Sequence, residues 1–274
     1  MTAAFALQLA ALPSPSSGTI ELGPLRLTAY GLMIALGVLA AVEIARRRAA
    51  AVGVDPDVMS KVGLWGALAG LLGARAYHVL TDFERFQGSW GDAVKIWEGG
   101  LGIPGGILAG TFAGLWVARR NGVGAAVALD IGAPAVPVAQ AIGRWGNWFN
   151  QELFGRPTDL PWGLQIDPRN RPDRYADAAT FHPTFLYESM WNLALAALIV
   201  VLGRRFGDRL RTGALFAVYV GGYGVGRLWV EALRADTATT IGGLRVNTWM
   251  SVVLIVGAGA WLVSRGRAPA RAED

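Results

Sequence analysis

Long runs of apolar residues, interrupted by short polar stretches, dominate the pattern along this chain. A helix needs about 20 predominantly apolar residues to cross the hydrocarbon core of a bilayer. Seven runs approach that length, so the pattern predicts an all-α, polytopic membrane protein with about seven transmembrane helices. The predicted spans cover residues 27–45, 58–80, 100–118, 122–142, 184–203, 212–232 and 246–264.

Two of the predicted spans carry more than plain hydrophobicity. The fourth contains Asp130, Pro134, Pro137 and Gln140, which predicts a helix that is kinked or that faces protein. The third has a glycine at every fourth position from 102 to 114. Small residues in that arrangement let two helices approach closely, so we interpret the glycines as a packing surface rather than a chemical site.

The arginines predict the orientation in the membrane. Clusters follow the first, third, fifth and seventh spans, at residues 46–48, 119–120, 204–211 and 265–271. With seven spans all four clusters fall on one side, which the positive-inside rule assigns to the cytoplasm. The N-terminus is then outside and the C-terminus is cytoplasmic. We expect one integral membrane domain over residues 1–274, with a small extracytoplasmic cap inserted at about 143–183.

Composition supports the membrane class. Hydrophobic residues make up 53% of the chain and charged residues 16%, against roughly 45–50% and about 25% in soluble proteins. The mean hydropathy is +0.37. The net charge is +5, but the basic residues are spread among apolar segments, which favours anionic lipid over nucleic acid as a partner. No basic residue precedes Arg26, so we interpret the apolar start, Met1–Leu12, as a short extracytoplasmic lead-in rather than a secretory signal.

The chain contains no cysteine and two histidines. A cysteine-based or histidine-based metal site is therefore not expected, and any thiol in the chemistry has to come from a substrate. The sequence also lacks the motifs of zinc proteases, phosphate-binding loops and serine-hydrolase elbows. We expect neither a metal nor a cofactor.

The segment G-R-W-G-N-W-F-N-Q-E-L-F-G, at residues 143–155, interleaves polar groups with aromatic rings. Aromatic rings at a membrane edge settle at the level of the lipid headgroups, so the polar groups are expected where a lipid phosphate lies. An aromatic belt whose polar neighbours cap a helix end is the alternative. The polar residues are Arg144, Asn147, Asn150 and Glu152.

Ionisable residues also lie within other apolar runs. A charged side chain inside a bilayer costs roughly 2.5–3.5 kcal/mol or more, so such residues tend to be paired and functional. Arg227 and Glu231 are four residues apart and share one helical face. Guanidinium groups from different helices can converge here with Arg144, and arginine matches phosphate oxygens in a bidentate way. Ion pairs that hold helices together without any ligand are the alternative.

The thirteen-residue motif resembles the signature of the bacterial prolipoprotein diacylglyceryl transferases. Other stretches resemble that family, in the family's order, along almost the whole chain: A-Y-G-L-M at 29–33, K-I-W-E-G-G-L at 95–101, H-P-T-F-L-Y-E at 182–188 and the segment 223–234. The resemblance implies transfer of the diacylglyceryl group of phosphatidylglycerol to the lipobox cysteine thiol of a preprolipoprotein. A thioether forms, glycerol phosphate is released, and the enzyme lies in the bacterial cytoplasmic (inner) membrane.

The resemblance and the chemistry of this reaction together suggest roles. Arg144 and Arg227 are assigned to the phosphate, where negative charge grows as sulfur attacks the glyceryl carbon. Asn147 and Asn150 are expected to orient headgroup oxygens, and Glu152 to position Arg144 or glycerol hydroxyls. The predicted catalytic residues are Tyr30, Arg144, Glu152 and Arg227. The predicted substrate-binding residues are Arg75, Asn147, Asn150, Gly155, His182, Tyr223, Glu231 and Arg234.

One position departs from the family. Many members carry a histidine just before the two glycines of the third span, whereas this chain has Pro104 there. Proline cannot accept a proton, so the resemblance supplies no base. We interpret His182 as a structural residue and His78 as a headgroup or interface residue, which leaves Tyr30, Glu152 or water as proton acceptors.

Two rival functions use the same features. A non-catalytic phospholipid transporter or flippase would need the same arginines and the same spans. A lipoprotein signal peptidase fits less well, because it needs paired aspartates near the outer surface and the span that contains Asp130 offers one.

Overall fold

The computed structural model describes residues 11–22 and 25–265, which are mostly helical. Each predicted span contains a helix, and the fourth contains two. Most of the predicted lead-in, residues 1–10, and the arginines beyond residue 265 lie outside the described residues. The helices are α1 (Ala29–Ala51), α2 (Pro56–Thr81), the short α3 (Phe83–Phe86), α4 (Ile103–Arg120), α5 (Ala125–Gly132), α6 (Ala135–Asn150), α7 (Thr184–Phe206), α8 (Ala214–Leu233) and α9 (Val246–Arg265).

Short antiparallel hairpins and 3-10 turns connect the helices. The strands are β1 (Thr19–Leu22) with β2 (Leu25–Thr28), β3 (Leu164–Gln165) with β4 (Thr180–Phe181), and β5 (Thr240–Ile241) with β6 (Leu244–Arg245). The 3-10 turns cover Trp90–Val94, Ile96–Glu98, Pro168–Asn170, Asp173–Tyr175 and Gly207–Arg209.

Three helices in the described part of the chain are long and apolar enough to cross a membrane. They are α1, α9 and the continuous helical segment Thr184–Arg209, and the pair α5 and α6 makes a fourth if its two parts form one span. These helices define a membrane protein.

The predicted kink in the fourth span is confirmed. Helix α5 ends at Gly132, α6 begins at Ala135, and Pro134 stands between them. Proline removes a backbone donor and clashes with the preceding turn, so a continuous helix cannot pass through this point.

The predicted span ends at residue 142, whereas the helix that it contains is longer. Helix α6 continues for two more turns to Asn150. A loop was expected there because the segment is polar, but its polar side chains bond to one another and to neighbouring helices. The helix ends where Gln151 and Leu153 adopt left-handed backbone conformations, with φ of 51° and 58°.

Among the described residues, those from 11 to 40 and from 133 to 265 form one compact unit, the larger unit, and residues 41–132 form the smaller unit. In the smaller unit α2 packs against α4 through glycines on both helices. A Cβ atom added to Gly110 would lie 2.9 Å from the carbonyl oxygen of Gly66, and one added to Gly106 would lie 3.2 Å from that of Gly70. The interpretation of the glycine row as a packing surface is confirmed.

Replacing Gly105 by alanine is expected to destabilise the protein by about 1–3 kcal/mol, the usual cost of overpacking. The new Cβ would lie 2.3 Å from the carbonyl oxygen of Gly73, a backbone atom that cannot rotate away. Gly257 in α9 has open space at the same position, so Gly257→Ala serves as the matched control. Thermal unfolding in detergent measures both variants, and equal midpoints would contradict the packing argument.

In the larger unit, α6, α7, α8 and α9 pack in chain order. A buried core at one end contains Ala133, Leu195, Ile199 and Leu215. Residues 151–183 fold over the other end as a compact segment, which we call the cap segment. Phe154, Leu164, Ile166 and Phe181 of the cap segment form a buried core together with Phe185 of α7 and Ala235, which follows α8.

Gln151 fastens the cap segment to the end of α6. The side chain is buried. Its amide nitrogen donates to the Pro15 carbonyl oxygen and to Asp167, both at 2.9 Å, and its oxygen accepts from the Asp167 backbone at 2.7 Å. These bonds compensate for the unfavourable left-handed backbone at this residue. They hold the polar motif in a fixed relation to the cap segment.

Candidate active site

The polar residues of the motif form a connected group at the end of α6. The Glu152 carboxylate accepts hydrogen bonds from the side-chain amides of Asn147 at 2.8 Å and Asn150 at 3.3 Å. The Asn147 oxygen accepts from the Arg144 guanidinium at 3.5 Å. Glu152 was expected to position Arg144 or glycerol hydroxyls, and in the structure the carboxylate is connected to that guanidinium through the buried Asn147. Arg144 and Glu152 are eight residues apart, and the helix ends between them, at Asn150, so the two side chains do not meet directly.

A buried carboxylate joins the two arginines that were assigned to phosphate. Glu188 on α7 lies 2.6 Å from the guanidinium of Arg144 on α6 and 3.8 Å from that of Arg227 on α8. The exposed fraction of Glu188 is 7%. Glu188 therefore brings the guanidiniums of two helices to one point.

The predicted pair of Arg227 and Glu231 is present, with 2.5 Å between Nη2 and Oε2. The other oxygen of Glu231 pairs with Nε of Arg245, on β6. Asn247, at the start of α9, donates to the same carboxylate at 3.3 Å. The exposed fraction of Glu231 is 2%, so three donors compensate its charge inside the protein.

The ion pairs extend beyond Arg245 to the segment between α8 and α9. Arg245 lies 3.1 Å from Oδ2 of Asp236, whose other oxygen lies 2.6 Å from Nε of Arg234. We call the connected series the charge chain. Its members, in order of contact, are Arg144, Glu188, Arg227, Glu231, Arg245, Asp236 and Arg234.

Four guanidiniums and three carboxylates leave the charge chain with one surplus positive charge, 4 − 3 = +1. Burial raises the pKa of Asp236, but the hydrogen bond to Arg234 and the charges of Arg234 and Arg245 outweigh it, so this pKa lies below its ordinary value. The carboxylate is thus ionised at neutral pH. A surplus cation inside a protein attracts an anionic ligand.

The charge chain passes beside a small cavity. Its lining includes Glu188, Arg227 and Tyr223, which lies one helical turn before Arg227. Trp191 also lines the cavity, and its indole nitrogen donates to the Gly222 carbonyl oxygen at 2.9 Å. Tyr223 is therefore placed beside the carboxylate–guanidinium centre, as its predicted binding role requires.

Tyr30 of α1 lies against α6 at Gly146. A Cβ atom at position 146 would lie 2.6 Å from the tyrosine ring. Glycine at this point of the motif therefore lets the half-buried ring approach the helix that carries Arg144 and Asn147.

Gly155 and His182 pack against each other within the cap segment. The Gly155 amide donates to the His182 carbonyl oxygen at 2.9 Å. A Cβ atom on Gly155 would lie 2.6 Å from Cβ of His182. Nδ1 of His182 lies 3.3 Å from Oη of Tyr187. Burial and then the charge of Arg156 lower the pKa of His182 below its ordinary value, so this imidazole is neutral at pH 7.

Arg75 lies in the smaller unit and is buried. Its guanidinium donates to the carbonyl oxygens of Asp92 at 2.5 Å, Gly99 at 2.6 Å, Ala93 at 2.8 Å and Gly100 at 3.0 Å. These bonds hold the loop that precedes α4, and they indicate a positioning role. The predicted headgroup contact of Arg75 stays a prediction.

Sequence reasoning did not select Glu188, Arg245 or Asn247. Glu188 stands in the stretch 182–188, which resembles the family. Its importance depends, however, on the packing of α7 between α6 and α8. Arg245 and Asn247 stand in a polar segment that looks like a plain connection. The signal that the sequence offered was an arginine and an amide immediately before an apolar run. That both contact a buried glutamate is visible only in the structure.

Helices that can span a membrane, together with a buried series of arginines and carboxylates at the end of the helical bundle, define a membrane protein with a buried polar site. The profile of the family described as "Prolipoprotein diacylglyceryl transferase" matches residues 17–264. The chain belongs to this family.

Several relatives are similar to the chain over most of its length. A Frankia alni protein named phosphatidylglycerol–prolipoprotein diacylglyceryl transferase is 51% identical over 252 residues, which are 91% of this chain and 66% of the relative. A Streptomyces coelicolor protein, transferase 2 of that name, is 51% identical over 94% of this chain and 81% of its own length. A Mycobacteroides abscessus protein of that name is 43% identical over 94% and 79%. The chain thus spans just under two thirds of the Frankia relative.

Proposed function

We propose that this protein is an enzyme that transfers the diacylglyceryl group of phosphatidylglycerol to the lipobox cysteine thiol of preprolipoproteins. The observation that carries the proposal is the convergence of Arg144 and Arg227 on the buried Glu188. Membership of the family and the names of the relatives support it. The chain has no cysteine, and the reaction needs none because its nucleophile arrives on the acceptor.

The reaction forms one bond and breaks one bond. The sulfur of the acceptor cysteine bonds to the terminal glyceryl carbon of the diacylglyceryl group, and the bond from that carbon to the phosphate oxygen breaks. The thiol proton leaves the sulfur, and glycerol phosphate departs with the electron pair. Preorganised donors aimed at the charge that grows on the leaving oxygens are the largest contribution to catalysis in many enzymes. Arg144 and Arg227 are placed for that task.

The remaining residues are assigned by their contacts. Asn147, Asn150 and Glu152 form a hydrogen-bonded set whose outer members, Asn150 and Glu152, are exposed. They are suited to hydroxyl groups of the headgroup. A free cysteine has a pKa of about 8.5, which nearby guanidiniums lower. The proton passes to Tyr30, Glu152 or water.

Labelling of a synthetic lipobox peptide by phosphatidylglycerol, with purified protein in detergent and no energy source, tests the function. A transferase forms the thioether-linked product and releases glycerol phosphate in equal amount. A peptide whose cysteine is replaced by serine serves as the control. A transporter or flippase moves phosphatidylglycerol across a vesicle membrane without labelling the peptide, and that result would replace the proposal by the alternative.

We propose seven spans in the cytoplasmic membrane of a bacterium, with the N-terminus outside, the C-terminus in the cytoplasm and the cap segment extracytoplasmic. The alternation of arginine clusters supports this orientation. A reporter that is active only in the cytoplasm is expected to be active when fused after Ser264 and inactive when inserted at Asp173. The opposite pattern would overturn the orientation.

The double variant His78→Asn, His182→Asn is expected to retain transfer. The pKa of His182 lies below its ordinary value, so this imidazole is already deprotonated near neutral pH and does not set the pH dependence there. The rate is expected to rise with pH as the acceptor thiol ionises. Rates measured between pH 6 and 9 test this, and complete loss of turnover in a folded, lipid-binding protein would make one histidine the base.

A further inference from the structure

An open groove lies at the far end of the charge chain, away from Arg144. It has a volume of about 880 Å³, part of it open to solvent, and the cap segment and the segment between α8 and α9 form its walls. Four guanidiniums and two carboxylates line it, an excess of 4 − 2 = +2. The charged lining residues are Arg156, Arg174, Glu231, Arg234, Asp236 and Arg245.

The carboxylates of the groove do not occupy all of its guanidinium donors. Arg234 uses Nε for Asp236, and within residues 11–22 and 25–265 no hydrogen bond involves its two terminal nitrogens. Arg156 is exposed and forms no ion pair with a residue of the same described ranges. Arg174 donates one terminal nitrogen to the Ala235 carbonyl oxygen and lies over the Tyr175 ring at 4.9 Å. Several N–H groups therefore remain for a ligand.

Backbone contacts fix the walls of the groove. Gly155 and Arg234 form an isolated antiparallel bridge, and the Arg156 amide donates to the Leu233 carbonyl oxygen at 2.8 Å. Arg156 and Arg234 are thus attached to directly bonded segments. A ligand that bridges them does not have to order these backbone segments, which favours specific binding.

We propose that the groove binds a phosphate monoester, namely the glycerol phosphate that the transfer releases, on its way to water. A phosphate monoester carries a charge of roughly −1.5 to −2 at pH 7 and three acceptor oxygens. The lipid substrate is a diester with a single charge. An excess of two positive charges and several arginine forks therefore match the product better than the substrate.

The groove shares Glu231 and Arg245 with the charge chain, so it begins where the proposed reaction centre ends. The inference rests on the proposed function for the identity of the anion. Direct binding tests it without any transfer step.

The experiment measures equilibrium binding of radiolabelled glycerol phosphate to the full chain in phosphatidylcholine nanodiscs. Arg156→Gln and Arg156→Glu are the test variants, because this side chain is exposed and its replacement leaves the buried ion pairs intact. Arg169→Gln is the matched control, since Arg169 is an exposed arginine of the cap segment outside the groove. Loss of one charged hydrogen-bonding group is expected to weaken binding about tenfold or more.

Saturable binding that weakens in both Arg156 variants and is unchanged in Arg169→Gln supports the site. Equal binding by wild type and both Arg156 variants, or no binding to wild type, overturns it. A second arm uses nanodiscs that contain phosphatidylglycerol. If only the lipid headgroup occupies the groove, phosphatidylglycerol protects Arg156 from arginine-specific modification while free glycerol phosphate does not, and the product proposal is wrong. Binding of glycerol phosphate without labelling of the peptide would contradict the proposed function but would still support a phosphate-binding groove.

Discussion

Arg144→Lys and Arg227→Lys are each expected to lower the rate of transfer by about 10²–10³, the usual loss when one preorganised donor is removed from a charge-stabilising site. Arg144 uses separate terminal nitrogens for Asn147 and Glu188. Arg227 likewise divides its terminal nitrogens between Glu188 and Glu231. Lysine keeps the charge but presents a single nitrogen, so it cannot hold two such partners and a phosphate in one plane.

The measurement compares the initial rate of peptide labelling with the amount of folded protein. The control is Arg169→Lys, a replacement of an exposed arginine that pairs with Asp167 at 3.5 Å. Its rate is expected to match wild type. If both test variants label the peptide as fast as the control, the two arginines only hold helices together and the phosphate assignment fails.

Much of the helical layout is predictable because it depends on local pattern. Runs of apolar residues locate the helices, and Pro134 locates the break between α5 and α6. The four-residue glycine spacing predicts the contact of α4 with α2, since one helical face recurs at that interval. These features need no knowledge of which other elements lie nearby.

The end of α6 and the left-handed Gln151 are not predictable in this way. The helix extends to Asn150 because its polar side chains find partners across the bundle and in the cap segment. Gln151 takes a conformation with φ of 51° because its buried amide bonds to Pro15 and Asp167, both distant in sequence. Local propensity contains no term for such partners, so tertiary contacts override it.

In the candidate site, too, some features are predictable from local pattern and others depend on tertiary contacts. Arg144, Asn147 and Glu152 stand in one short motif, so their association is visible from the sequence. The importance of Glu188 and Arg245 depends on the order in which the helices pack. The same holds for the role of Gly155, which the sequence placed with the substrate. The structure gives Gly155 a packing position against His182, and its predicted role in substrate binding stays a prediction.

Glu231→Gln is expected to cause the largest loss of stability of any single replacement in the charge chain. The carboxylate pairs with Arg227 through one oxygen and Arg245 through the other, and its exposed fraction is 2%. Removal of one partner from a buried ion pair costs about 3–5 kcal/mol, because the remaining charge is buried without compensation. Here two guanidiniums each lose their nearest carboxylate, and Arg227 keeps only Glu188 at 3.8 Å and Arg245 only Asp236 at 3.1 Å. Transfer is therefore expected to fall with the folded fraction and also in the protein that remains folded.

Arg245→Gln is expected to be milder, since Glu231 keeps Arg227 and the amide of Asn247. In the double variant Glu231→Gln, Arg245→Gln, one of the two cations that would lose the Glu231 carboxylate is absent. The loss of unfolding free energy in the double variant is therefore expected to be smaller than the sum of the two single losses, by about 0.5–3 kcal/mol. The unfolding free energies of the three variants and wild type are measured in detergent. The rates of transfer per amount of folded protein are compared in the same double-mutant cycle. Strictly additive losses would show that Arg245 and Glu231 act independently, and Arg245 would then lose its role in holding the Arg227 side of the site.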